Sequence, residues 1–140
     1  MRNVIFILML ASFGTVSAET LKSLPTEWSG VAGDLVTRVP AKFVIDSSSL
    51  VKESNGSEEY NIEGAFTFDQ RVVKVNKLNL RKNVNKTTKV ESIEMTVFTD
   101  DELVPNLFVT IVKNKSDNIY VMQDITSPPL GRRLLLKSIN

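Results

Sequence analysis

From Trp28 onward, apolar and polar residues alternate with a period of two, and no stretch sustains the 3.6-residue apolar spacing of an amphipathic helix. β-Branched and aromatic residues gather in short runs, and turn-forming residues interrupt them about every ten positions, the spacing of an all-β sandwich or barrel. The clearest unit surrounds Asn55-Gly56, a pair suited to a two-residue type I′ turn because both central residues need positive φ. Folding the chain there sets Val51 against Tyr60, Ser49 against Ile62, Ser47 against Gly64, Ile45 against Phe66 and Phe43 against Phe68 on one face. The other face then opposes Lys52 to Glu59 and Lys42 to Asp69, two complementary cross-strand pairs.

A second hairpin is expected to join residues near 71–82 to residues near 88–99, with Leu78 and Leu80 facing Ile93, Met95 and Val97. A third joins Leu107–Val112 to Ile119–Ile125 through Asn114-Lys115-Ser116-Asp117, with Leu107, Val109 and Ile111 set against Ile119, Val121 and Gln123. Trp28–Val39 reads as an opening strand closed by Pro40. Pro128-Pro129-Leu130-Gly131 reads as a turn into a closing strand, Arg133–Ile139. About eight sequential antiparallel strands result, in a single domain over residues 19–140. They fit an up-and-down barrel, which leaves no open edge, better than a two-sheet sandwich.

Residues 1–18 read differently. Arg2 precedes a nearly unbroken apolar run, Val4–Phe13, and Val16-Ser17-Ala18 offers the small residues a signal peptidase requires. The run is too short to span a bilayer, which takes about 20 apolar residues. A signal peptide removed after Ala18 is expected, leaving Glu19–Asn140 periplasmic or secreted, with no transmembrane segment. The whole chain carries 17 basic and 16 acidic residues, so losing Arg2 brings the net charge to zero. That balance gives no general attraction to nucleic acid or to an anionic membrane.

The chain has no cysteine and no histidine. Disulfide frameworks, zinc and iron–sulfur sites, thiol nucleophiles and the Ser-His-Asp triad are thereby excluded. Ser47-Ser48-Ser49 has no lysine at a motif spacing and no glycine elbow precedes any serine, so no enzyme is expected. Asp100-Asp101-Glu102 lacks the loop spacing of a calcium site and reads as a solvated loop; no metal and no cofactor are expected. Asn55-Gly56-Ser57, Asn85-Lys86-Thr87 and Asn114-Lys115-Ser116 match the N-glycosylation triplet, a pattern that recurs by chance in a chain rich in Asn, Ser and Thr.

Trp28-Ser29-Gly30 opens the first strand with the only tryptophan. It resembles the start of small exported calycin-type barrels, lipocalins and avidins among them, where the order is Gly-x-Trp. The resemblance implies a calycin-like barrel in which Trp28 either plugs one end or walls a ligand site. An avidin-like site takes several tryptophans.

Two candidate surfaces follow. The first is an interior wall of Trp28, Phe43, Ser47, Ser49, Tyr60 and Phe66, in which small hydroxyl residues among aromatics leave room to orient a ligand. The second is the basic run Arg71, Lys74, Lys77, Arg81 and Lys82, continued by Lys86 and Lys89 with no acid between. No aromatic lies between Phe68 and Phe98, so stacking on bases is unsupported and nucleic acid is not an expected partner. The function expected is therefore a small exported, non-enzymatic binding module holding an apolar or amphipathic small ligand inside the barrel. The alternative is an exported interaction protein, such as an inhibitor or envelope-associated factor, that turns a basic outer surface toward a protein or an anionic polysaccharide.

Overall fold

A computed structural model describes residues 20–33, 37–102, 105–124 and 133–139. Residues 1–18 and the Pro128–Gly131 turn lie outside the described residues. A 3-10 turn, Thr20–Ser23, precedes eight strands: β1 (Glu27–Gly33), β2 (Arg38–Ser54), β3 (Ser57–Phe68), β4 (Arg71–Val84), β5 (Glu91–Thr99), β6 (Asn106–Lys113), β7 (Tyr120–Asp124) and β8 (Arg133–Ser138). Each strand pairs antiparallel with the next, and β8 returns to β1, closing an up-and-down barrel. The barrel expected from the alternation is the barrel found, and no sandwich forms.

Turn chemistry sets the hairpins. Asn55 and Gly56 adopt φ of 51° and 79°, as a type I′ turn demands. The β4–β5 and β6–β7 turns share a second design. Asn85 Oδ1 accepts the amides of Thr87 and Thr88, and the main chain closes from Lys89 N to Asn85 O before Lys89 exits at positive φ. Asn114 Oδ1 accepts Ser116 N, Asn118 N donates to Asn114 O, and Asn118 exits likewise. All three N-x-Ser/Thr triplets are thus hairpin turns, and two of the three asparagines spend their side-chain oxygens on the turn itself.

The register departs from the simple alternation along β2. Ser54 and Lys52 oppose Ser57 and Glu59 as expected, but Leu50 rather than Val51 faces Tyr60, and Phe43 faces Phe66 rather than Phe68. Extra residues at Val51 and Asp46 form two bulges, and β3 and β4 carry further irregularities near Ile62 and Asn76. Long strands must coil to wrap a small barrel, and bulges concentrate that bend. Val51 consequently points outward at 51% exposure while Leu50 packs on the core. Lys42 opposes Thr67, not Asp69. On β7 the inward phase belongs to Met122, which faces Ile111, so Val121 and Gln123 lie outside; Asn114–Asn118 is a five-residue turn, which reverses the expected parity. The opening strand turns at Gly33, and Pro40 sits within β2 opposite Val31.

The interior is apolar: Trp28, Phe43, Phe66, Leu78, Val97, Val109, Met122 and Leu136 form one cluster with their neighbours. The exterior carries Lys42, Glu63, Lys74 and Arg81, all exposed. Charge outside and hydrocarbon inside is the reverse of a lipid-spanning barrel, so this one faces water.

Closure depends on Gly30. A Cβ there would lie 2.0 Å from the Leu135 carbonyl oxygen, a backbone atom that cannot swing aside. Gly30→Ala is expected to cost roughly 3 kcal/mol or more, read by denaturant unfolding. The bulge at Val51 makes a sharper test. Leu50→Asp is expected to cost about 2–4 kcal/mol and Val51→Asp under about 1 kcal/mol; equal effects would refute the bulged register.

Candidate binding site

The two ends of the barrel differ. At one end the 3-10 turn folds into the opening. Its Leu21 and the following Leu24 are buried, and Trp28 Nε1 donates to the Pro25 carbonyl at 3.1 Å. Trp28 meets Tyr120 edge-on at 6.3 Å between ring centroids. Glu58, 6% exposed, projects inward from β3 and holds this turn through both carboxylate oxygens. This end is sealed, and Trp28 is part of the seal.

The middle of the barrel is filled. Phe43 stacks on Phe66 at 4.3 Å, and Phe66 on Phe68 at 5.6 Å. Phe43, Phe66, Leu78, Val97, Val109, Met122 and Leu136 all have 0% exposure, so no void large enough for a water molecule adjoins them. The interior wall read from the sequence therefore divides. Trp28, Phe43, Tyr60 and Phe66 are close-packed core, whereas Ser47 and Ser49 lie exposed outside because the bulge at Asp46 reverses their phase.

The basic strand divides as well. Arg71 pairs with Asp101, and Lys77 with Glu59 at 2.6 Å while its ammonium lies over the Phe98 ring. Arg81 stands opposite Glu94 on β5. Lys82 turns the other way, into a hollow of about 160 Å³ shared with Ser23, Ile93, Ile111, Lys113 and Tyr120. Lys74, Arg81 and Lys82 are exposed and make no ion pair among the described residues. The acids after β4 compensate the charge across the ladder. Asp100 accepts from Asn76 and Asp101 is tied to Arg71, so this acidic run is bound up in strand contacts.

The end opposite the 3-10 turn is built otherwise. Ala32, Phe68 and Leu107 pack on the core yet stay partly exposed. Among them stands Asp124, at the end of β7, in phase with buried Met122 and paired with fully buried Val109. Its Oδ1 is buried without a hydrogen-bond partner. Burial pushes its carboxyl up to about 6, partly offset by a backbone hydrogen bond from Leu134. An apolar collar with one underused carboxyl can hold an amphipathic molecule, body on the collar and polar head on Asp124.

Neither Glu58 nor Asp124 stood out in the sequence. Glu58 was detectable as an acid in phase with Tyr60, Ile62 and Phe66 on an otherwise apolar face. Asp124 needed the phase of β7, which the turn geometry decides. Comparison with protein-family models, with curated proteins and with solved structures returns no match.

Because Asp124 titrates above the ordinary value near 3.8, the folded chain binds more protons than the unfolded chain between about pH 4 and pH 6. Its contribution is most favourable below that window, is lost as pH rises through it, and is constant above. Asp124→Asn should abolish this slope in urea titrations and stabilise the protein at pH 7 by roughly 1 kcal/mol. Solvent screening at a half-buried site keeps the gain below the roughly 3 kcal/mol that two pKa units would imply. A variant less stable than wild type at pH 7 would refute the assignment.

Proposed function

We propose that this chain is an exported, non-enzymatic binding module that seats an amphipathic small molecule at the barrel end formed by Ala32, Phe68, Leu107 and Asp124. One observation carries the reading: the barrel is plugged at one end and solid through its middle, whereas the other end keeps partly exposed apolar side chains around a carboxyl with an unused oxygen. Export is supported by the short apolar run before Val16-Ser17-Ala18. The ligand enters no deeper than Phe68, since Phe66 below it exposes no surface. Asp124 favours an amine or hydroxyl head group, and above about pH 6, where it is ionised, an amine.

Calorimetry with octylamine and octanol tests this. Octylamine should bind at pH 7.5 with a dissociation constant on the order of 100 µM, as partial burial of an eight-carbon chain allows. Octanol should bind about tenfold more weakly, and Asp124→Asn should erase the difference. Phe68→Ala should weaken both about tenfold. Absence of heat from either compound, or affinities unchanged in Phe68→Ala, would remove this end of the barrel as the site.

A further inference from the structure

The seal at the 3-10 turn leaves a gap at its margin. Between Ser23 of the turn and the rims of β4 to β7 lies a hollow of about 160 Å³. Lys82, Glu91, Ile93, Ile111, Lys113 and Tyr120 line it, all in the inward phase of their strands. They sort by depth. Ile111 is buried, and Ile93 and Tyr120 pack on the core, so the floor is apolar. One inward position nearer the rim the ionic groups begin: Lys82 two residues beyond Leu80, Glu91 two before Ile93, and Lys113 two beyond Ile111.

The walls are held in place. Lys82 stands opposite Ile93, and Lys113 opposite Tyr120, whose ring its ammonium overlies at 5.5 Å from the centroid. Tyr120 meets Trp28 edge-on at 6.3 Å, and its amide donates to Ser138 Oγ at 3.0 Å. Two ammonium groups against one carboxylate leave the rim one positive charge in excess. Among the described residues none of the three is ion-paired, so both ammonium groups keep donors for a ligand.

We propose that this hollow seats an aromatic carboxylate, its ring on Ile93 and Ile111 and its carboxylate at the rim beside Lys82 and Lys113. The size fits, because a benzene ring occupies a cavity of about 150 Å³. A single excess positive charge suits a monoanion, and Glu91 opposes a dianion. A bare phosphate would leave the apolar floor in water, and a neutral aromatic would leave both ammonium groups unused. The inference is independent of the ligand seat around Asp124, which lies at the other end of the barrel.

Magnetic resonance titrations of the isotope-labelled protein with benzoate, benzyl alcohol and inorganic phosphate test it. At low salt and pH 7, benzoate should bind with a dissociation constant on the order of 1 mM and shift the amides of Ile93, Lys113 and Tyr120. The indole N–H of Trp28 should shift with them, because Tyr120 abuts that ring. Benzyl alcohol and phosphate should each bind about fivefold more weakly. Lys82→Gln and Lys113→Gln should each weaken benzoate about two- to threefold while leaving benzyl alcohol unchanged, which also shows that the variants fold. No saturable shift with benzoate overturns the proposal. So do benzoate and benzyl alcohol of equal affinity, phosphate matching benzoate, or a Lys82→Gln, Lys113→Gln double variant that binds benzoate like wild type. Benzoate shifts centred on Phe68 and Leu107 would move the carboxylate to the opposite end and likewise overturn it.

Discussion

Closure of the sheet is the constraint from which the rest of this structure follows. β1 meets β8 along Trp28–Gly33, and the two backbones approach so closely at Gly30 that no side chain fits between them. A closed sheet has no free edge to pair with another chain. It also fixes the interior volume, so every inward residue competes for the same space. The bulges at Asp46, Val51 and Asn76 are consequences, since straight ladders of this length cannot return to their starting strand.

Filling that volume makes the barrel asymmetric. Stacked phenylalanines and branched aliphatics occupy the middle, and the short 3-10 turn with Trp28 occupies one end. Two carboxylates mark the difference between the ends. Glu58 meets two donors of the turn and the Tyr60 hydroxyl on its own strand, whereas Asp124 keeps an oxygen without a partner and a raised pKa. One is spent on holding the turn, and the other keeps a buried oxygen without a hydrogen bond. The same chemistry stands in opposite surroundings because one opening is capped and the other retains a partly exposed collar.

Charge on the outer wall follows a similar logic of compensation. β4 looks basic when read alone, but antiparallel neighbours bring Glu59 and Glu94 beside Lys77 and Arg81. Asp101 reaches Arg71 from the strand end. A run of one sign in sequence is a partly mixed surface once the ladder forms, with Arg71 and Lys77 ion-paired and Lys74 and Lys82 exposed to solvent.

Local chemistry sufficed for much of the fold. Asn55-Gly56 determined a turn because positive φ is a property of those two residues, and period-two alternation determined strands because successive side chains point to opposite faces. Eight such segments with short connections determined an up-and-down barrel. The candidate site was far less legible. Simple alternation assigns Ser47 and Ser49 to the inner face, yet they lie outside, and nothing in the sequence marks Asp124 as inward, because each depends on a bulge or a turn length that shifts phase by one residue. Leu50 and Val51 show why sequence alone cannot settle such choices. Both are apolar and adjacent, and either could face inward by local preference. Which one does is decided by the bend needed to close the ring, a property of all eight strands together and of no segment by itself.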